Sequence, residues 1–242
     1  MTLRSLIFDV DGTLADTEEA HRCAFNEAFS ELGLDWDWTK ERYSHLLRIT
    51  GGKERLAAYI HSLELAPEDR ESVAGRIETI HQVKTRNYTR MVQAGAVPLR
   101  EGVAQLLDEA QDASIRLALA STTTYANIDA LLTSTLGAGA LQRFAAIGAG
   151  DQVPHKKPAP DIYEYVLREM QVSPDECVAI EDSANGLSAA KAAGLYTIVT
   201  PSDWTATEDF TAADMLLPSL GQLGLRDIHR HFSTPSFHLP AD

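Results

Sequence analysis

Two aspartates, Asp9 and Asp11, flank a single valine at the end of an apolar run and are followed by Gly12. Carboxylates crowded at the end of a buried strand repel one another and need a counter-charge. A second acidic pair, Glu181-Asp182, ends another apolar run far along the chain. Hard oxygen ligands from Asp9 and Asp182, with no sulfur or imidazole beside them, suit Mg²⁺, which keeps several waters and also binds phosphate. Lys157 and Ser121 extend the list: an ammonium neutralises phosphate oxygens and a hydroxyl hydrogen-bonds them. With that charge neutralised, Asp9 can attack phosphorus and form an aspartyl-phosphate. Asp11 can protonate the leaving oxygen and then activate water. Each residue alone has an ordinary role: Asp11-Gly12 as a turn, Ser121 or Thr122 as a helix cap, Lys157 as a surface lysine, Glu181-Asp182 as a helix start. Together, at or just after the ends of successive strands, they point to phosphoryl chemistry.

Those strands are short, mostly continuous apolar runs: "SLIFDV" (5–10), "IRLALAS" (115–121), "FAAIGAG" (144–150), "CVAIED" (177–182), "LYTIVT" (195–200) and "DMLL" (214–217). Continuous apolar runs are what strands buried on both faces require. Helical patterns lie between them at 101–113, 161–171 and 185–194, the last stopping on Gly194. The alternation predicts an α/β fold, a Rossmann-like parallel sheet covered on both sides, whose ligands sit beyond the carboxyl ends of the strands. From Asp16 to about Ala96 the pattern is helical throughout. Ala20, Ala24, Phe25, Ala28, Phe29 and Leu32 share one face, Asp16 and Glu19 suit a capped start, and further segments lie near 39–48, 53–64 and 68–93. The chain therefore divides into a core of 1–15 and 97–228, an inserted all-helical domain at 16–96, and a loosely ordered tail at 229–242. The irregularly spaced histidines of that tail do not read as a metal site.

The net charge of −14 argues against nucleic acid as a partner, because a phosphate backbone needs a basic face. Residues 40–90 run against this trend, with ten Lys/Arg against seven Asp/Glu, and suggest a small anionic ligand. Cys23 and Cys177, both in apolar segments, read as buried core residues, which favours a reducing, cytoplasmic setting. No signal-peptide pattern and no apolar stretch near ~18 residues is present, so a membrane is not expected as a partner. An acidic surface without large apolar patches favours a monomer.

With these residues in place the chain resembles the haloacid-dehalogenase-type phosphohydrolases. "DVDGT" is similar to their first motif, "LALAST" to the second, "KKPAPDIY" to the third and "AIEDSANGLSAAKAAG" to the fourth. The resemblance implies that Asp9 is nucleophile and metal ligand, and that Asp11 is acid/base and lends its backbone carbonyl to the metal. It makes Asp182 a further ligand with Glu181 behind it, Ser121 and Lys157 phosphate-binding, and residues 16–96 a cap that closes over the site. Within the cap, "LLRITGGKERLAAYI" and "IHQVKTRNY" resemble CbbY-type proteins, whose family activity is removal of phosphate from xylulose-1,5-bisphosphate, an inhibitor of the Calvin-cycle carboxylase Rubisco. A bisphosphate needs a second anion seat. Gly51 and Gly52 leave backbone N–H groups open at a helix start, Lys53 and Arg55 add charge, and His81 and Lys84 share a helix face that could add to it. The resemblance turns Glu18 and His21 toward the sugar hydroxyls and adds Thr122 to the substrate contacts; Trp36 and Trp38 read as packing. The core motifs leave open a sugar-phosphate mutase of the β-phosphoglucomutase type or a phosphoglycolate phosphatase.

Overall fold

The computed structural model describes residues 2–233. Six parallel strands form one sheet: β1 (Ser5–Phe8), β2 (Arg116–Ala120), β3 (Phe144–Gly148), β4 (Cys177–Glu181), β5 (Tyr196–Val199) and β6 (Met215–Leu216), in the order β3-β2-β1-β4-β5-β6. This is the expected α/β architecture. Its strand order reverses at β1, which is hydrogen-bonded to β2 on one side and β4 on the other. The crevice beyond such a switch point is where doubly wound sheets bind ligands. Phe8 is in register with Leu119 and Ile180, so Asp9 and Asp182 both emerge there.

Side chains alternate across the sheet. Leu6 and Phe8 enter one core with Leu106, Leu107, Ile128 and Ile228, while Ile7, Ala118 and Ala179 face another with Ile162, Val166 and Ala190. The first layer comes from α6 (Val103–Asp112), α7 (Tyr125–Leu136) and α10 (Leu225–Ser233), the second from α8 (Asp161–Met170) and α9 (Ala184–Ala192). Gly194, at φ +80°, ends α9 as expected. The tail expectation changes: α10 continues to Ser233 and seats Phe232 in the core, because its apolar face has the sheet to cover. His238 lies outside the described residues.

Between β1 and α6 lie α1 (Glu18–Glu31), α2 (Lys40–Leu46), α3 (Gly52–Ser62), α4 (Pro67–Ala74) and α5 (Ile77–Gln93). Phe25, Phe29, Trp38, Tyr43, Leu56, Tyr59 and Ile80 form their separate core, with Trp36 packed against it. Both tryptophans are thus packing residues. The segment expected as one helix over 68–93 is two. α4 buries nothing whereas α5 buries Ile80, Tyr88 and Val92, and Arg76 pins the break by donating to the Leu32 carbonyl at 2.9 Å. The expected cap at Asp16 is also absent. Thr17 takes the N-cap position and makes no side-chain cap bond, because its hydroxyl donates to Asp11 at 2.6 Å and Asp16 instead pairs with Arg100 at 3.5 Å. Cys177 is buried as expected, but Cys23 is only half-buried, on the polar side of α1 beside Glu19 and Arg22; both thiols are free.

One glycine in α9 leads directly to the site. A Cβ on Gly186 would collide with the carboxylate of Glu181. Gly→Ala inside a helix ordinarily stabilises by about 1 kcal/mol. Here Gly186→Ala is expected to destabilise by about 1–3 kcal/mol through overpacking, which a urea midpoint measured against wild type reads directly.

Candidate active site

The chain folds so that four strand ends converge. Asp9 leaves β1 with its N–H bonded to the Ile180 carbonyl at 2.9 Å, and Asp182 leaves β4 at the start of α9. Asp9, Glu181 and Asp182 are all buried, and they offer carboxylate oxygens within 4.8 Å of one another. Lys157 reaches between two of them, its Nζ donating to Asp9 Oδ1 and Glu181 Oε1, each at 2.6 Å. The Tyr163 hydroxyl donates to the same Glu181 oxygen at 2.5 Å, leaving Oε2 buried and without a partner. Ser202 Oγ donates to Asp182 Oδ2 at 2.9 Å, and Thr205 Oγ1 to the Asp182 carbonyl at 2.7 Å.

The electrostatics of this cluster are unbalanced. Burial pushes Asp9 up to about 7, against the pull of Lys157 and with added repulsion from Glu181. Asp182 is raised well above the carboxylate range by burial and then by the charges of Asp9 and Glu181. Burial alone would discharge Lys157, but the two carboxylates beside it overcome that and hold it charged. Three all-oxygen groups, one orphaned buried oxygen and one lysine fit a hard divalent cation, which would complete the missing positive charge. Asp11 lies outside the triad.

Asp11 belongs to a second row. His21 Nε2 is 3.0 Å from Asp11 Oδ1, and His21 Nδ1 is 2.6 Å from Lys84 Nζ. The imidazole stacks on Tyr88 with centroids 4.0 Å apart, and Lys84 lies over the rings of Phe25 and Tyr88. Burial opposes ionisation of Asp11, but His21, its hydrogen bond and that of Thr17 hold the carboxyl down at about 2. Burial brings Lys84 down to about 8 and, with the lysine beside it, lowers His21.

Above both rows is a cavity of about 350 Å³. It is lined by Asp9, Asp11, Glu18, His21, Gly51, Gly52, Lys53, Arg55, His81, Lys84, Thr122, Lys157 and Asp182 among others, so nearly every residue singled out from the sequence meets here. Ser121 and Glu181 do not line it. Ser121 is 1% exposed and its hydroxyl accepts the Thr123 N–H at 3.2 Å, leaving Thr122, Thr123 and Thr124 to form that wall. Glu181 stands behind the cavity wall. Several cap residues have structural partners. Glu18 accepts from the Tyr43 hydroxyl at 2.8 Å, and Arg55 donates to that hydroxyl at 2.9 Å and to the Leu46 carbonyl at 3.1 Å. Lys53 pairs with Glu78 at 2.7 Å. His81 packs against Gly52, where a Cβ would be 2.8 Å from its Nε2, and burial brings its pKa down to about 4.

The basic excess of residues 40–90 is accordingly less available than the sequence suggests. Arg86 pairs with Glu31, Arg90 with Glu27, and Arg42 donates to the Asp37 carbonyl. Other cavity residues were given no role by the sequence. Lys156 pairs with Glu54 at 2.7 Å, directly over Gly51, and Asn185 donates to Thr50 Oγ1 at 3.0 Å. These contacts join α3 and its leading loop to the loops beside Lys157 and Asp182. Adjacency to Lys157 was the one signal in the sequence for Lys156; for Glu54 there was none.

This geometry has close counterparts. Residues 3–194 match the haloacid dehalogenase-like hydrolase family. Protein CbbY of Rhodobacter capsulatus is 50% identical over 220 residues, covering 91% of this chain and 95% of that protein. A mutant CbbY from Rhodobacter sphaeroides, crystallised in complex with xylulose-(1,5)bisphosphate, is 47% identical and superposes with a TM-score of 0.87, covering 93% of this chain and 99% of that one. β-Phosphoglucomutase from Clostridium difficile, at 19% identity and a TM-score of 0.74 over 96% of this chain and 97% of that one, shares the fold. Motif order, strand order and likeness over nearly the full length agree, and the chain belongs to the haloacid dehalogenase-like hydrolases and, within them, to the CbbY proteins.

Proposed function

We propose that the protein is a Mg²⁺-dependent phosphatase that removes the C1 phosphate of xylulose-1,5-bisphosphate and releases xylulose 5-phosphate. One observation carries this reading: a single cavity joins the Asp9–Asp182 cluster to the start of α3 at Gly51–Lys53, so that one small molecule can reach both. The relative crystallised with xylulose-(1,5)bisphosphate supports the choice of substrate. In this reading residues 16–96 form a cap over a core of 1–15 and 97–228, and the cap sets substrate choice.

Asp9, Asp182 and the Asp11 carbonyl would hold Mg²⁺, with Glu181 behind them. The bound cation would supply the positive charge that keeps these carboxylates ionised together and draws phosphate in. Lys157 adds a fixed ammonium beside Asp9. Asp9 attacks phosphorus, the bond to the sugar oxygen breaks, and that oxygen takes the proton of Asp11. The Asp11 carboxylate then removes a proton from water, whose oxygen attacks the aspartyl-phosphate; Asp9 is regenerated and inorganic phosphate leaves. Without ligand Asp11 is held ionised, the form that activates water. A phosphate dianion nearby raises its pKa toward the protonated form that the leaving oxygen needs. His21 and Lys84 hold the carboxyl in place.

Phosphate release assayed with xylulose-1,5-bisphosphate beside ribulose-1,5-bisphosphate, phosphoglycolate and β-glucose 1-phosphate tests the reading. The highest kcat/KM is expected for the first. A preference for phosphoglycolate, or interconversion of glucose phosphates without release, overturns it. The second phosphate is seated by the open N–H groups at Gly51 and Gly52 with Lys53 at the cavity edge. Lys53→Ala is accordingly expected to raise KM about tenfold for a bisphosphate and less than about twofold for a monophosphate, with kcat kept in both, as loss of uniform binding requires. Equal effects on the two substrates remove Lys53 from that seat.

A further inference from the structure

Arg100 lies in the segment that returns the chain from α5 to α6, and its side chain is 12% exposed. Its guanidinium is committed at both Nη atoms to backbone carbonyls, while Nε lies 3.5 Å from the exposed carboxylate of Asp16. Nη1 donates to the carbonyl of Gly12 and, at 2.7 Å, to that of Thr200; Nη2 donates to the carbonyl of Pro201 at 2.8 Å. Nη1 also lies 3.4 Å from the Thr200 hydroxyl, and the Arg100 backbone N–H donates to the Leu14 carbonyl at 2.8 Å.

These acceptors belong to two separate segments. The first carries Asp9 and Asp11. The second carries Ser202 and Thr205, whose hydroxyls hold the carboxylate and carbonyl of Asp182. One planar, always-charged fork therefore ties the loop of one carboxylate to the turn that orients the other, a geometry that a lysine's single ammonium cannot reproduce. The two loops also touch without slack. Gly12 has φ +81°, and a Cβ there would collide with the Asp182 carboxylate. A slip of either loop thus moves Asp9 relative to Asp182.

We propose that Arg100 is a positioning residue for the cation site, setting the separation of Asp9 from Asp182 through the Gly12 carbonyl and the turn at Ser202–Thr205. The proposal rests on the reading of Asp9 and Asp182 as Mg²⁺ ligands. Calorimetric titration of metal-free protein with Mg²⁺ tests it on wild type, Arg100→Gln, Arg100→Lys and, as a control, Asp16→Asn, with urea midpoints and far-ultraviolet circular dichroism in parallel. Residues that orient metal ligands typically change affinity about 10–100-fold when replaced. Arg100→Gln is expected to raise the Mg²⁺ Kd within that range and to lower kcat, while KM at saturating Mg²⁺ changes less than about twofold. Arg100→Lys falls between Arg100→Gln and wild type, and carries the test if Arg100→Gln does not fold. Asp16→Asn is expected to match wild type. Folded Arg100 variants that bind Mg²⁺ with wild-type affinity overturn this proposal alone. A wild-type protein that binds no Mg²⁺ overturns the reading of the acidic cluster, and this proposal with it.

Discussion

Asp9→Asn is expected to lower kcat by at least about 10⁴-fold, since in the proposed mechanism Asp9 is the covalent nucleophile and its loss removes the pathway and not merely one contact. The amide is nearly the same size and still offers an oxygen to Lys157, so the fold is expected to survive. Stability carries a second signature with a definite sign. In the fold the Asp9 carboxyl is raised from 3.8 to about 7. A raised folded pKa contributes stability that is full below the unfolded value and lost as pH rises through the folded one. In chelator, wild type therefore loses stability between about pH 4 and pH 7 from this group. Asp9→Asn cannot titrate, and its Tm is expected to fall less than that of wild type from pH 5 to pH 8. Parallel Tm profiles for the two proteins would contradict the assignment of this burial penalty to Asp9.

Lys157→Met is the substitution expected to cost most stability. Lys157 contacts Asp9 and Glu181, whose side chains are 9% and 0% exposed. Removing the one cation of a buried ionic group leaves uncompensated charge and typically costs about 3–5 kcal/mol. The neutral side chain fills much of the same space, so the loss is electrostatic and not a cavity effect. Denaturant unfolding in chelator measures it. The decisive comparison is Lys157→Met with Glu181→Gln added: with one carboxylate neutralised, the double variant is expected to be more stable than Lys157→Met alone. A double variant less stable than either single one would mean that Glu181 is held by Tyr163 and its surroundings and not by Lys157.

The parts legible in the sequence were those written locally. Apolar runs marked the strands, and a residue just past the end of a parallel strand has few places to point, so Asp9 and Asp182 could be brought together across 173 residues without knowing the strand order. The rest depended on side chains from distant segments. The row Lys84–His21–Asp11 spans 63 residues in one of its bonds, and the Lys156–Glu54 pair spans 102. No periodicity encodes such partners, and Lys53 and Arg55 looked available because Glu78 and Tyr43 could not be assigned to them. Local rules also yielded to the site. Asp16 with Glu19 suited a capped helix start, but the Asp16 carboxylate went to Arg100 and the N-cap position fell to Thr17, whose hydroxyl went to Asp11. Arg100 itself carried no signal, since an arginine bound to backbone carbonyls looks in sequence like any surface arginine.

Release of phosphate from xylulose-1,5-bisphosphate in excess chelator, before and after Mg²⁺ is restored, tests the central claim most directly. Turnover that disappears in chelator and returns with Mg²⁺ is the expected result, because Lys157 alone does not balance the three carboxylates of the Asp9–Glu181–Asp182 cluster. Turnover undiminished in chelator would contradict it.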